Sequence, residues 1–395
     1  MEVTYALLLT ILLGMSLSSC TVQDIDTLAH AKDPKQTLKD MANAHIQGYA
    51  NNPEQLLADI KKARKQYQHL LAVLRGDVEA TWGVEEVKTP TDTDYVKYTE
   101  NYKSRAIVQF DIGLITVETL DQKNSQQSLE NAIFTTLLTP DDPRTVELYS
   151  AKEITLSGKP YLQGLVVDQN NRVVDSPAIA RAYAQYLVKN KAKVRTVTTR
   201  NGQESVHYVQ INMVNDYQNR QAKNYKADVE RYARKFNVSQ SLVYAIIKTE
   251  SAFNPFAVSS VPAYGLMQIV PHTAGVDASE LVRGSKTPPT KEYLFQSNKN
   301  IEMGTAYLHI VGSRYLKGIT DPVKREYAMI SAYNGGAGNV FKTFSGTTSP
   351  TKAIEKINRL STAEVYRMLK YNHPHAETRR YITKVTEARK QFINI

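Results

Sequence analysis

A helix with a carboxylate on its apolar side, broken soon after that carboxylate, limits most what this chain can become. The stretch is LVYAIIKTESAFNPFAVSSVPAYGLMQ, Leu242 to Gln268. Ser239 is a good N-cap, and Leu242, Val243, Ile246, Ile247 and Glu250 recur at helical spacing, which sets the carboxylate among apolar neighbours. Asn254-Pro255 predicts the end of the helix and leaves Glu250 in its last turn. There the negative end of the helix dipole disfavours ionisation, and burial against the apolar face acts in the same direction. Such a carboxyl suits a general acid; the plainer reading is a surface Glu on the rim of an ordinary helix.

Three downstream stretches favour the acid. Gly265-Leu266-Met267-Gln268 supplies a tight turn, an apolar wall and an amide, and Ala332-Tyr333-Asn334-Gly335-Gly336-Ala337-Gly338 supplies a second Gly-rich bend with a phenol and an amide. Glu377-Thr378-Arg379-Arg380-Tyr381 follows. With Glu250-Ser251-Ala252-Phe253-Asn254-Pro255, this ordered set closely resembles the catalytic domain of the lytic transglycosylases with a lysozyme-like fold, of the goose-type or soluble lytic transglycosylase kind. The resemblance runs from about Ala222 to the C-terminus and implies an all-α domain.

That family cuts the β-1,4 bond between N-acetylmuramic acid and N-acetylglucosamine in peptidoglycan and leaves a 1,6-anhydromuramoyl end. Most glycosidases need two carboxyl groups, yet Ser251 to Val276 contains no Asp or Glu. The resemblance implies that substrate replaces the second group: the N-acetyl oxygen stabilises the anomeric centre and the sugar's own 6-hydroxyl attacks it. Glu250 would then be acid first and base afterwards, a pair of tasks served by a pKa near the working pH. Tyr381 would hydrogen-bond Glu250. Ser259, Gln268 and Asn334 would hold N-acetyl and hydroxyl groups, with Tyr333 lining the same cleft, and Ser251 is either a substrate contact or only a cap for the helix end. Glu377 stays open as a distant second carboxylate. A lysozyme-like hydrolase and a non-catalytic wall-binding lipoprotein are the rival functions.

The charge distribution agrees with an anionic polymer as partner. From Asp216 onward the chain carries 26 Lys and Arg against 14 Asp and Glu, whereas the residues before it carry 23 against 25. Such a face can meet nucleic acid, acidic lipid or the carboxylate-rich peptide stems of peptidoglycan, or be only a solvated surface; no stacking-aromatic motif accompanies the scattered basic residues, and the resemblance implies peptidoglycan glycan strands, not nucleic acid, as the partner. His272, His309, His373 and His375 lie apart from any ligand set, and neither metal nor cofactor is expected.

Cys20 is the sole cysteine of the 395 residues. It follows a short apolar run, Ala6 to Met15, and the stretch Leu17-Ser18-Ser19 with its two small serines, which together resemble a bacterial lipoprotein signal. Residues 1–19 are then a signal peptide, lipidated Cys20 begins the mature chain, and Thr21 after it points to the outer membrane, facing the periplasm. Glu2 departs from the positive start such signals have. Residues 20–51 are polar and aperiodic and read as a tether.

Residues 52–215 mix strands and helices and predict an α+β domain ahead of the catalytic domain at 216–395. Asn52-Pro53 opens an amphipathic helix carrying Leu56, Leu57, Ile60, Tyr67, Leu70, Leu71 and Leu74, which Gly76 is expected to stop. Strand texture covers Tyr95 to Phe110 and Leu114 to Leu120, and Asn201-Gly202 predicts a two-residue hairpin between strands near Val194–Thr199 and Val206–Val214. Trp82-Gly83 and Asp94-Tyr95-Val96-Lys97-Tyr98-Thr99 resemble the N-terminal domain of membrane-bound members of the same family. This half shows no catalytic constellation, Asp216 to Gln221 is a polar crossing, and residues 222–395 are expected to fold alone.

Overall fold

The computed structural model describes residues 53–260 and 262–393. The expectations for the signal segment, Cys20, the tether and the Asn52 cap fall outside the described residues.

The first half is a five-stranded antiparallel sheet in the order β1-β2-β3-β5-β4. Its strands are β1 (Asp94–Thr99), β2 (Ser104–Gln109), β3 (Leu114–Thr119), β4 (Lys193–Thr199) and β5 (Gly202–Asn212). The β4–β5 hairpin forms, but its two-residue loop is Arg200-Asn201, one residue earlier than Asn201-Gly202: Thr199 pairs with Gly202, which opens β5 at φ +106°. The stretch Tyr95–Phe110, by contrast, is two strands: Glu100, Asn101 and Tyr102 adopt positive φ (51°, 52° and 66°) and reverse the chain. Without a Gly or Pro, that turn carries little sequence signal.

β1 has every residue but its first buried, because helices cover both sides of the sheet. One face packs on α2 (Ser125–Leu138) and α3 (Pro177–Lys191), where Val108 and Val117 meet Leu129, Ile133 and Ala184. The other face packs on α1 (Pro53–Trp82), through Leu74, Val78 and Trp82 against Val96, Tyr98, Val197 and Val206. Gly76 therefore does not end α1. Leu74, Val78 and Trp82 recur about one turn apart with no exposed surface, and burying them outweighs a Gly penalty of about 1 kcal/mol. Leu70, expected on the apolar stripe, is 43% exposed.

The second half is helical: α4 (Tyr217–Asn224), α5 (Lys226–Phe236), α6 (Gln240–Ser251), α7 (Ala274–Arg283), α8 (Lys291–Leu294), α9 (Ser297–Ile310), α10 (Pro322–Gly335), α11 (Ala337–Ser345), α12 (Pro350–Arg359), α13 (Thr362–Asn372) and α14 (Ala376–Lys390). The polar crossing at Asp216–Gln221 is already helical, since α4 begins at Tyr217. A single core gathers Leu242, Val243, Ile246 and Ile247 of α6 with α9, α10 and α14.

The two halves interlock. Phe256 sits 4.8 Å from Tyr95 and 5.3 Å from Tyr161, ring centre to ring centre, inside the core of the first half. In the opposite direction, Tyr67 of α1 packs on Val258 and Phe295. Excising residues 222–395 would therefore uncover Phe256 and Val258, each about 1% exposed in the whole chain, which argues against a second half that is stable alone.

Candidate active site

α6 ends one residue after Glu250, earlier than Asn254-Pro255 predicts. Ala252 and Phe253 both take left-handed conformations, at φ 49° and 64°, which side-chain-bearing residues adopt only where surroundings enforce it. Asn254 is what holds the bend. Fully buried, its side-chain amide donates to the Asp92 carbonyl at 3.1 Å and its oxygen accepts from the Phe256 amide at 3.0 Å.

Glu250 lines a cleft of about 570 Å³, counting space open to solvent, with Asp92, Ser259, Gln268, Tyr333, Asn334 and Glu377. Its side chain is partly accessible through that cleft and otherwise enclosed by protein. Burial pushes its carboxyl up to about 8; nearby Glu377 and Asp92 add to the rise, while the hydrogen bond from Tyr381 and the charge of Lys384 oppose it. The Tyr381 hydroxyl donates to Glu250 Oε1 at 2.6 Å. Tyr381 therefore braces the acid from behind and is itself 5% exposed.

The Gly265–Gln268 turn forms one wall. Gly265 has φ +73°, and a Cβ there would lie 2.5 Å from Asn300 Nδ2 and 2.7 Å from the Leu294 carbonyl. Asn300 of α9, with no exposed surface, ties the turn together: its amide donates to the Tyr264 and Leu294 carbonyls at 2.7 and 2.8 Å, and its oxygen accepts from the Met267 amide at 2.8 Å. Sequence reasoning missed Asn300 because an Asn inside a helix carries no mark of such a role. Gln268, at φ 46°, donates to the Gly265 carbonyl at 3.0 Å and keeps Oε1 buried without a hydrogen-bond partner among the described residues. A buried acceptor left open costs free energy unless a donor arrives.

The opposite wall comes from α10 and α14. The Tyr333 hydroxyl donates to the Met267 carbonyl at 2.8 Å, coupling the two Gly-rich segments. Asn334 donates to Glu377 Oε1 at 3.0 Å and accepts from the Thr378 hydroxyl at 2.6 Å. Gly335 makes this approach feasible, since a Cβ there would stand 2.6 Å from both His373 Cε1 and Thr378 Oγ1.

Glu250, Ser259, Gln268, Tyr333 and Asn334 are thus brought to one cleft, with Tyr381 directly behind the acid. Ser251 is not. Its side chain points away from the cleft with no exposed surface, its hydroxyl shared between the Ile247 carbonyl at 3.0 Å and the Leu266 carbonyl at 2.8 Å. That bond fixes the end of α6 to the Gly265 turn and leaves no donor for a substrate. Asp92 is the residue that sequence reasoning missed. It arrives from the loop before β1 in the other half of the chain, and only the fold brings it here. A half-buried carboxyl that stays protonated near neutral pH, beside amides and phenols and with no Lys or Arg on the cleft wall among the described residues, is suited to donating a proton to a bound neutral sugar oxygen.

Known proteins similar to this chain belong to one family. A family model described as the N-terminal domain of membrane-bound lytic murein transglycosylase C matches residues 52–224, and one described as the transglycosylase SLT domain matches residues 228–356. The membrane-bound lytic murein transglycosylase C of Yersinia pestis (strain Pestoides F) is 40% identical over 327 residues, covering 82% of this chain and 89% of that protein. The protein of the same name from Yersinia pseudotuberculosis serotype O:1b aligns with the same figures, 40%, 82% and 89%. Among solved structures, an inactive mutant of the lytic transglycosylase Slt from Pseudomonas aeruginosa is 27% identical over 43% of this chain and 24% of its own, with a TM-score of 0.34. The 70 kDa soluble lytic transglycosylase of Escherichia coli is 25% identical over 43% of this chain and 24% of its own, with a TM-score of 0.32. With a family model on each half and relatives 40% identical across most of its length, the chain belongs to the membrane-bound lytic murein transglycosylases, an α+β domain followed by a helical, lysozyme-like one, and is a peptidoglycan lytic transglycosylase.

Proposed function

We propose that Glu250 performs both proton transfers of this reaction. Protonated at the start, it gives its proton to the glycosidic oxygen as the bond to the muramoyl C1 breaks; as carboxylate it then takes the proton from that sugar's 6-hydroxyl, whose oxygen bonds to C1 and closes the 1,6-anhydro ring. The observation that carries this reading is the cleft carboxyl pushed up to about 8 and braced by Tyr381 at 2.6 Å. A free carboxyl near 4.5 would be ionised at neutral pH and unable to act as the acid.

Ser259, Gln268 and Asn334 serve in this reading as polar contacts to N-acetyl and hydroxyl groups, with the open Gln268 Oε1 awaiting a donor. Tyr333 lines the cleft, and Ser251 acts only through the backbone it holds. Glu377 is engaged by Asn334, which supports a role in fixing the cleft wall in place of a second catalytic carboxylate. The test is a pair of variants, Glu250→Gln and Glu377→Gln, assayed for anhydromuropeptide release from sacculi. Turnover should vanish in the first and fall modestly in the second; equal loss in both would point to a two-carboxylate mechanism.

We place the protein on the outer membrane, facing the periplasm, through lipidated Cys20, with residues 1–19 as signal, 20–51 as tether, 52–215 as the positioning domain and 216–395 as the catalytic domain. Among the described residues no helix is long and apolar enough to cross a membrane. The relatives' name, membrane-bound, supports anchoring by other means. Cell fractionation decides it: Cys20→Ser protein should leave the membrane pellet, and protein retained there would rule out the lipid anchor.

A further inference from the structure

We propose that Asp92 is a positioning residue of the reaction: its carboxylate, standing in the cleft with Glu250, belongs to the acid–base machinery, so that the first half of the chain tunes chemistry carried by the second. The inference rests on Glu250 being the acid. Asp92 lies on the loop ahead of β1 and is exposed, with its Oδ1 accepting only from the neighbouring Thr93 amide, at 3.1 Å, among the bonds that involve its side chain. Its backbone is not free to drift. The Asp92 carbonyl takes the bond from Asn254, four residues past Glu250, at the bend that ends α6. Phe256, two residues further, is clamped between Tyr95 and Tyr161 of the same half. One set of contacts therefore fixes both the end of the acid's helix and the loop that carries the second charge.

Among the described residues the cleft wall holds carboxylates from three separate places, Asp92, Glu250 and Glu377, and neither Lys nor Arg. An ionised Asp92 repels a negative charge on Glu250 and so favours its protonated form, the form that starts the reaction. Other groups face Glu250 as well: Glu377 acts in the same sense, Lys384 and the Tyr381 hydroxyl in the opposite one, and Tyr333 lies beside it as an un-ionised phenol held so by burial. Of these, Asp92 alone comes from the first half.

The test is the pH dependence of kcat/KM on sacculi for the full chain, with Asp92→Asn and Asp92→Glu. Asn keeps the size and removes the charge. The alkaline limb of the Asp92→Asn profile should move to lower pH by on the order of half a unit, about a threefold loss on that limb, and Asp92→Glu should bring it back. Raising ionic strength should move the wild-type limb the same way, and move it further than the Asp92→Asn limb, in which only Glu377 and Lys384 are left to screen. An unmoved limb in a variant that melts like the wild type would overturn the proposal while leaving Glu250, tested separately by Glu250→Gln, untouched. So would a uniform loss at every pH, which marks a binding contact. Should Asp92→Asn fail to fold, Asp92→Ser takes its place, and an unmoved limb in that variant refutes it.

Discussion

The Tyr381 hydroxyl donates a 2.6 Å hydrogen bond to Glu250 Oε1 across 131 residues of sequence. A donor to a carboxylate stabilises its charged form, so this bond opposes the rise that burial imposes and settles the acid at about 8. Tyr381→Phe removes that opposition. The alkaline limb of the activity profile should move to higher pH, opposite to the Asp92→Asn shift, and kcat should fall about tenfold or more with the loss of a charge-assisted bond of roughly 1.5–3 kcal/mol. A Phe variant whose profile coincides with that of the wild type would remove Tyr381 from the machinery.

A carboxyl raised from 4.5 to about 8 in the folded protein also makes stability depend on pH. Between those values the folded state holds a proton that the unfolded state has released, so unfolding releases protons and the wild type loses stability as pH rises. The contribution is whole below 4.5, declines through the window and is gone above about 8. Glu250→Gln cannot ionise and avoids this loss. Its melting temperature should match the wild type at pH 4 and exceed it at pH 9; parallel melting curves across the range would contradict a buried, protonated Glu250.

Phe256 belongs to the second half by sequence and to the first by packing. Truncating it should cost about 3–5 kcal/mol, as for other buried Phe side chains, and should free the Asn254–Asp92 connection as well. Phe256→Ala is therefore expected to lower the melting temperature and kcat/KM together. For the same reason an isolated fragment 222–395 should melt well below the intact chain, and a fragment as stable and as active as the whole would show the interlock to be dispensable.

What the sequence made legible was local. The apolar stripe with Glu250 on it and the Gly265 turn each rest on residues adjacent in the chain and form where expected, and the β4–β5 hairpin forms with its loop one residue early, at Arg200-Asn201. The helix stop assigned to Gly76 failed because burial of Val78 and Trp82 from a distant sheet outweighs a local preference. The turn at Glu100–Tyr102 went unseen because its positive φ values are imposed by the strands on either side. Ser251, adjacent to the acid, faces away from the cleft, since helical geometry turns consecutive residues to different sides. Asp92 and Asn300 could not be found from spacing, because their roles exist only once two remote segments meet.

In the proposed mechanism the sugar's own 6-hydroxyl, with Glu250 as its only proton partner, replaces water as the nucleophile. Digesting purified sacculi in water enriched in oxygen-18 and weighing the released muropeptides tests this most directly. The expected products are muramoyl ends lighter by one water and free of label, absent altogether from a folded Glu250→Gln variant. Reducing ends carrying the heavy oxygen as the main product, or unlabelled anhydro ends from Glu250→Gln at the wild-type rate, would contradict it.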